Sequence, residues 1–209
     1  MYFCRNKIKT SRIIKFMNMM KKLILLALFP MLFLGCQSNK EGSGESDKKQ
    51  QKQQKEEEAD IKASTLIETG QSVPQFSFKT TNETEHSMAE LEGNIVLLNF
   101  FATWCPTCMA EMPALQEQVW NKYKGHDNFF MVSLGREHSM QEMKEFQEKK
   151  EYTFNFAPDT GRVIYSKFAE KYIPRNVLVN KKGEIIYECT GYDEAEFEKM
   201  LTILEKKLK

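Results

Sequence analysis

Two cysteines three positions apart, Cys105 and Cys108, are the residues of this chain best suited to chemistry. Such a Cys-x-x-Cys pair has three readings: a dithiol that cycles through a disulfide, half of a metal site, or a coincidence. Its surroundings decide between them. Ile95–Phe101 is an almost unbroken apolar run, which suits a central strand covered on both faces. A helix is expected to follow over residues 106–123, with Pro113 kinking it by deleting the bond to the Met109 carbonyl. Cys105 then stands at a helix N-terminus, its sulfur facing unsatisfied N–H groups and the positive end of the dipole. That setting favours a thiolate, and Cys-x-x-Cys sites lower their first pKa from about 8.5 to between ~3.5 and ~7.5. Cys108 lies one turn on, close enough to form a disulfide and expected to be more buried, which suits a resolving role.

Zinc is the weaker reading, because a structural site needs four ligands, usually a second pair with its own short spacing. His86, His126 and His138 are isolated and Cys189 has no nearby cysteine partner, so no metal is expected. Haem attachment fails because Met109 stands where that pattern needs His. Met109, Met112, Met140 and Met143 read as core packing rather than a copper site. No cofactor is expected.

Glu111 lies three residues after Cys108 on the same helix face. A partly buried carboxylate there would have a raised pKa and could take the Cys108 proton; a solvated surface glutamate is the competing reading. Trp104 is expected to pack, half-buried, beside the site. Cys189, in a strand, reads as a buried small hydrophobe. Arg175 is read as a loop residue able to orient an acidic partner.

The elements that must position these residues follow from periodicity. Residues 73–78 alternate like a short edge strand with Pro74 at its start. Ser87 and Glu90 carry a capping-box pattern for one helical turn ended by Gly93. Residues 129–134 form a second buried-strand pattern, and Ser139 with Glu142 opens a helix bearing Met140, Met143 and Phe146. The Pro158-Asp159-Thr160-Gly161 turn precedes an amphipathic stretch with Val163, Ile164, Phe168 and Tyr172. Residues 177–179 and 184–189 make an antiparallel hairpin around Lys181-Lys182-Gly183. Asp193 with Glu196 caps a last helix with Phe197, Met200, Leu201, Leu204 and Leu208 inward. Strands separated by helices pair in parallel, while the hairpin adds antiparallel neighbours. The fold expected is α/β, a mixed central sheet with helices on both faces.

The net charge of +1 hides a split: residues 1–62 carry 13 Lys and Arg against 7 Asp and Glu, leaving the rest at −5. An acidic globular part argues against a nucleic-acid partner, whose phosphates need clustered basic residues. Residues 23–34 are apolar apart from Pro30, a run too short for the ~20 residues of a membrane span. With Lys21 and Lys22 before it and Gly35 after it, the run reads as a secretory signal over residues 1–35, with Met17, Met19 or Met20 as possible true starts. In that case Cys4 belongs to an artefactual extension. Residues 36–62 then comprise Cys36 and a flexible polar tether, a solvated helix over 48–59 being the alternative. Residues 63–209 form the globular domain.

The stretch 32–36, ending Gly35-Cys36, resembles a bacterial lipoprotein signal, which implies lipidation of Cys36; Leu34 departs from the smaller residue usual there. Phe100-Phe101-Ala102-Thr103-Trp104-Cys105-Pro106-Thr107-Cys108, followed by Glu111 and Pro113, resembles the membrane-tethered thioredoxin-like proteins of the TlpA and ResA type. The resemblance spans roughly residues 70–209. It takes in Val73-Pro74-Gln75-Phe76, an inserted helix after the 129–134 strand, and the Ile173-Pro174 step before the hairpin. It implies a thioredoxin-like fold with an extra N-terminal strand segment, a cis Pro174 lying against the disulfide, and proton transfer assisted by Glu111. Trp104, Pro106, Thr107, Ile173 and Pro174 are its expected supporting residues. A Pro just before a strand is independently a plausible cis site, and its missing N–H leaves room for a peptide to pair beside Cys105.

The function expected is reduction of protein disulfides by a monomer anchored through lipid, facing the periplasm or cell exterior, and recharged by a membrane thiol donor. Three alternatives stay open: an oxidase or isomerase direction, a peroxiredoxin-like peroxidase, and a tethered binding module with a structural disulfide. Against the peroxidase, the residues before Cys105 lack the Pro-x-x-x-Thr lead-in of that family.

Overall fold

A computed structural model describes residues 43–209, with side chains from residue 49 onward. The expectations for the signal, the start at Met17, Met19 or Met20, Cys4 and Cys36 lie outside the described residues. Ser43–Ser64 is an α-helix, α1, where a flexible tether was expected. The segment has no apolar stripe, but Lys, Gln, Glu and Ala are strong helix formers and no Pro or Gly interrupts residues 45–64. Its side chains are exposed from residue 49 to 59, and only the last turn meets the domain. There Asp60 accepts hydrogen bonds from Lys171 Nζ (3.2 Å) and from the Tyr172 hydroxyl.

Five strands make the main sheet: β3 (Ile95–Phe101), β4 (Phe129–Arg136), β5 (Asn155–Asp159), β6 (Arg175–Val179) and β7 (Ile185–Thr190). Their order is β5-β4-β3-β6-β7. β3 runs parallel to β4 and β4 to β5, whereas β3–β6 and β6–β7 are antiparallel. β3 is central, and all seven of its residues are buried, as its continuous apolar pattern requires.

Alternation along β3 sends Ile95, Leu97 and Phe101 to one core and Val96, Leu98 and Phe100 to the other. The first core is filled by Cys108, Met112 and Leu115 from the helix after β3, by Met143 and Phe146 from α3 (Met140–Lys150), and by Phe197, Met200 and Leu204 from α4 (Glu194–Leu208). On the second face lie Val73, Phe78, Met88, Leu91 and the 3-10 turn Tyr165–Lys167. The mixed sheet with helical cover on both faces is therefore present.

Local departures have local causes. The N-terminal strand expected over 73–78 is reduced to β1 (Ser77–Lys79), paired antiparallel with β2 (Glu85–Ser87) in a hairpin separate from the main sheet. Pro74 lacks an N–H, and the chain before it is held instead by Val73 N–H to the Gly183 carbonyl. Ser87 and Glu90 do exchange capping-box bonds, yet within a turn, not a helix. Residues 155–159, assigned partly to a turn, are the edge strand β5, where Pro158 is tolerated. The amphipathic stretch after it shortens to the 3-10 turn, and Val163 is exposed.

The helix after β3, α2, is α-helical over Pro106–Ala114, widens to a π-helix over Leu115–Trp120, and closes with a turn at Asn121–Tyr123. The wide turns follow Pro113, whose ring and missing N–H disturb the normal ladder. The hairpin and both later caps match expectation: Ser139 and Glu142 form a reciprocal capping box, and Asp193 accepts from the N–H groups of Ala195 and Glu196.

Candidate active site

The C-terminal end of β3 delivers Cys105 to the N-cap of α2. Its backbone is extended (φ −91°, ψ 111°) and its sulfur accepts the Cys108 N–H at 3.2 Å. One of the helix's orphan donors is thereby aimed at sulfur. Cys105 and Cys108 are joined as a disulfide with Cα atoms 5.3 Å apart. Cys108 is fully buried, whereas Cys105 keeps 7% of its surface. The attacking and resolving cysteines expected from position thus differ in access in the required sense. Pro106 and Thr107 are exposed on the first turn.

Ile173-Pro174 is a cis peptide, and the Ile173 carbonyl oxygen lies 3.8 Å from Cys105 Sγ. Across the sheet, Gly135 pairs with Phe101. A Cβ at Gly135 would meet Met143 Sδ at 2.3 Å, so a larger residue there would push the Met143 side chain of α3 aside.

Glu111 is buried at 1% exposure, which overturns the solvated alternative. Asn99 Nδ2 donates to Glu111 Oε2 at 3.0 Å, and Asn176 Nδ2 donates to Oε1. Burial pushes the Glu111 carboxyl up to about 7, against the downward pull of the two amides. Cys189, expected to be buried, is half-buried and packs against the first core, and burial of its sulfur pushes the thiol up to about 11.

A family model described as Redoxin matches residues 68–204. The chain belongs to the Redoxin family. The thioredoxin-like protein YneN of Bacillus subtilis (strain 168) is 32% identical over 122 residues, covering 57% of this chain and 69% of YneN. The thiol-disulfide oxidoreductase ResA of Bacillus thuringiensis subsp. konkukian (strain 97-27) is 28% identical over 130 residues, covering 62% of this chain and 74% of ResA. A solution structure from Bacteroides thetaiotaomicron, described as a candidate protein disulfide isomerase, aligns with a TM-score of 0.67 at 27% identity over 69% of this chain and 92% of that one. This Redoxin is a thioredoxin-like thiol–disulfide oxidoreductase with Cys105 and Cys108 as its redox pair.

Two expectations for the Redoxin site need correction. Trp104 is not half-buried: it is 60% exposed, with the Arg136 guanidinium 5.3 Å from its ring. The turn before the helix lifts it off the core, where Ala102 and Cys105 take the inward positions. Arg175 is not a free loop residue. It opens β6, is completely buried, and its Nη1 donates to Glu188 Oε2 at 2.8 Å, so its guanidinium is not on the surface where a partner could meet it.

Four further residues join the site. Asn99 and Asn176 hold Glu111, and Ser133 Oγ donates to Asn99 Oδ1 at 2.9 Å. His138 is buried, and its Nε2 accepts the Thr103 N–H at 3.0 Å, bracing the loop before Cys105. Burial holds the His138 imidazole below its ordinary pKa, opposed by Glu142 and Glu137. Asn99 and Ser133 carried a legible signal, each being the one polar residue in an apolar run; Asn176 and His138 carried none that spacing reveals. Among the described residues no group of three or more metal-ligating side chains occurs.

Proposed function

We propose that this protein reduces protein disulfides outside the cytoplasm while held to a bacterial membrane by lipid on Cys36. Reduced Cys105, as thiolate, attacks one sulfur of a substrate disulfide and expels the other as a thiolate. The mixed disulfide so formed is resolved by Cys108, whose proton passes to the Glu111 carboxylate. Cys108 sulfur bonds Cys105 sulfur and the substrate leaves as a dithiol. Two electrons have moved to the substrate, and a membrane thiol donor returns them by the reverse exchange.

The observation that carries this reading is the Cys105 sulfur at the N-cap, accepting the Cys108 N–H at 3.2 Å. A thiolate there replaces water as partner of the helix's orphan donors and meets the positive dipole end. The cis Pro174 lines the other side, and a peptide strand laid beside Ile173 would bring its disulfide to Cys105. Trp104, exposed next to the nucleophile, offers that peptide a flat apolar contact. The reducing direction is what the resemblance of residues 100–113 to the TlpA and ResA type implies, and the anchor rests on the signal-like residues 21–36. Among the described residues no helix is long and apolar enough to cross a membrane.

Cys105→Ser is expected to abolish reduction of insulin, and Cys108→Ser to trap substrates as mixed disulfides. A Cys105→Ser protein that still turns over defeats the assignment. Equilibration with glutathione or dithiothreitol tests direction: a potential near −270 mV supports a reductase, and one near −120 mV an oxidase. Intact mass of membrane-extracted protein tests the anchor, and a mass without acyl chains on Cys36 removes it.

A further inference from the structure

The buried polar residues around Glu111 form a chain whose hydrogens all run one way. Ser133 donates to Asn99 Oδ1, at 2.9 Å, and this fixes which end of the Asn99 amide faces Glu111. Both Nδ2 hydrogens of Asn99 are then spent, one on Glu111 Oε2 at 3.0 Å and one on Asn176 Oδ1 at 2.9 Å. That second bond in turn orients Asn176, whose Nδ2 donates to Glu111 Oε1. Asn99 and Asn176 face each other in the β3–β6 register, and Ser133 faces Asn99 in the β3–β4 register. Three adjacent strands therefore each contribute one polar residue to a layer that is otherwise apolar. All three are at most 1% exposed. Burying three such groups costs free energy unless their bonds are complete, and the acceptor that completes them is a carboxylate.

We propose that Asn99, oriented by Ser133, and Asn176 are positioning residues that hold both oxygens of Glu111 and favour its charged form, so that it can receive the Cys108 proton. The inference rests on the proton role given to Glu111 above. Among the described residues no cation neutralises this carboxylate; the other titratable groups facing it are Cys108 one turn back on its own helix, Cys189 on β7 and Tyr192 after it. Burial acts against the charge and the amides act for it, which is how the group comes to titrate near neutrality.

The test is direct titration of Glu111 by carbon NMR of the carboxyl in the full oxidised chain, in parallel with the pH profile of mixed-disulfide resolution in the reduced one. Asn99→Leu and Asn176→Leu remove the donors while keeping the volume filled and water out. Each is expected to raise the Glu111 midpoint by about one pH unit, the worth of one hydrogen bond to a charged group. Ser133→Ala, which leaves both amides in place, is expected to raise it by less. Midpoints unchanged in folded leucine variants overturn the inference. Should those variants fail to fold, Ser133→Ala decides: an upward shift supports the inference and an unmoved midpoint overturns it. A midpoint that rises while the resolution profile stays fixed leaves the positioning role standing and removes the proton role of Glu111 instead.

Discussion

Arg175 and Asn176 are neighbours on β6 but serve opposite faces of the sheet, and each takes part in burying a charge. On Arg175's face the guanidinium meets a counter-charge, Glu188, whose side chain is 28% exposed. On Asn176's face the carboxylate of Glu111 meets only neutral amides. Attraction between paired charges offsets part of the hydration that burial removes. An unpaired one balances burial against hydrogen bonds and comes to rest near pH 7, ready to exchange a proton. One buried charge is thus paired across the sheet, and the other sits among amides one helical turn from Cys108.

The sharpest way to break this contrast is Glu111→Gln. Resolution by Cys108 is expected to slow by about 10²-fold or more, as for loss of a positioned acid–base group. Single-turnover rates with a preformed mixed disulfide measure it, and an unchanged rate would place Glu111 with the structural residues. On the other face, Glu188→Ala leaves a buried guanidinium unpaired and is expected to cost about 3 kcal/mol, the low end for such pairs because Glu188 is partly exposed. Urea unfolding measures the loss, which should be the same at pH 5.5 and 8, with thiol exchange by the folded fraction unaffected.

The pH dependence of stability separates Glu111 from His138 by sign. Glu111 has a folded pKa of about 7, above its ordinary 4.5, so the native state binds the extra proton. Its contribution is therefore present below 4.5 and is lost as pH rises through 7, by about 3 kcal/mol in all. Glu111→Gln should remove this fall. His138, whose pKa is lowered, acts in the opposite sense: its contribution is present above 6.5 and is lost as pH falls. His138→Gln should accordingly steepen the wild-type decline between pH 5 and 7 by a smaller amount, seen in the same unfolding series. The smallest effect is expected at the exposed end of the scale. Asp60→Ala removes an accessible contact to Lys171 and Tyr172, and should leave the pH dependence of unfolding above pH 5 as it is.

Much of this was readable before any coordinates. Cys105, Cys108 and the strand-to-helix junction were legible because a seven-residue apolar run, a Cys-x-x-Cys and periodic apolar positions are local signals. The caps at Ser139 and Asp193 and the turn at Gly183 were legible for the same reason, since each is settled within four residues. The short strand at 155–159 was missed because Pro158 marks a turn in isolation and is acceptable only at an edge. The helical tether stood only as the alternative, because its sequence carries no apolar stripe, only propensity.

What the chain's order of residues settled alone was the identity of the redox pair and the elements flanking it, through interactions a few positions apart. What only tertiary structure decided was the company those residues keep. Arg175 and Trp104 exchanged their expected exposures because depth depends on which strands lie alongside. Glu111 meets Asn99 and Asn176, 12 and 65 positions away, and Ser133 donates to Asn99 from 34 positions further along the chain. Local spacing sets backbone geometry; the free energy of a buried proton depends on every neighbour the sheet brings within reach.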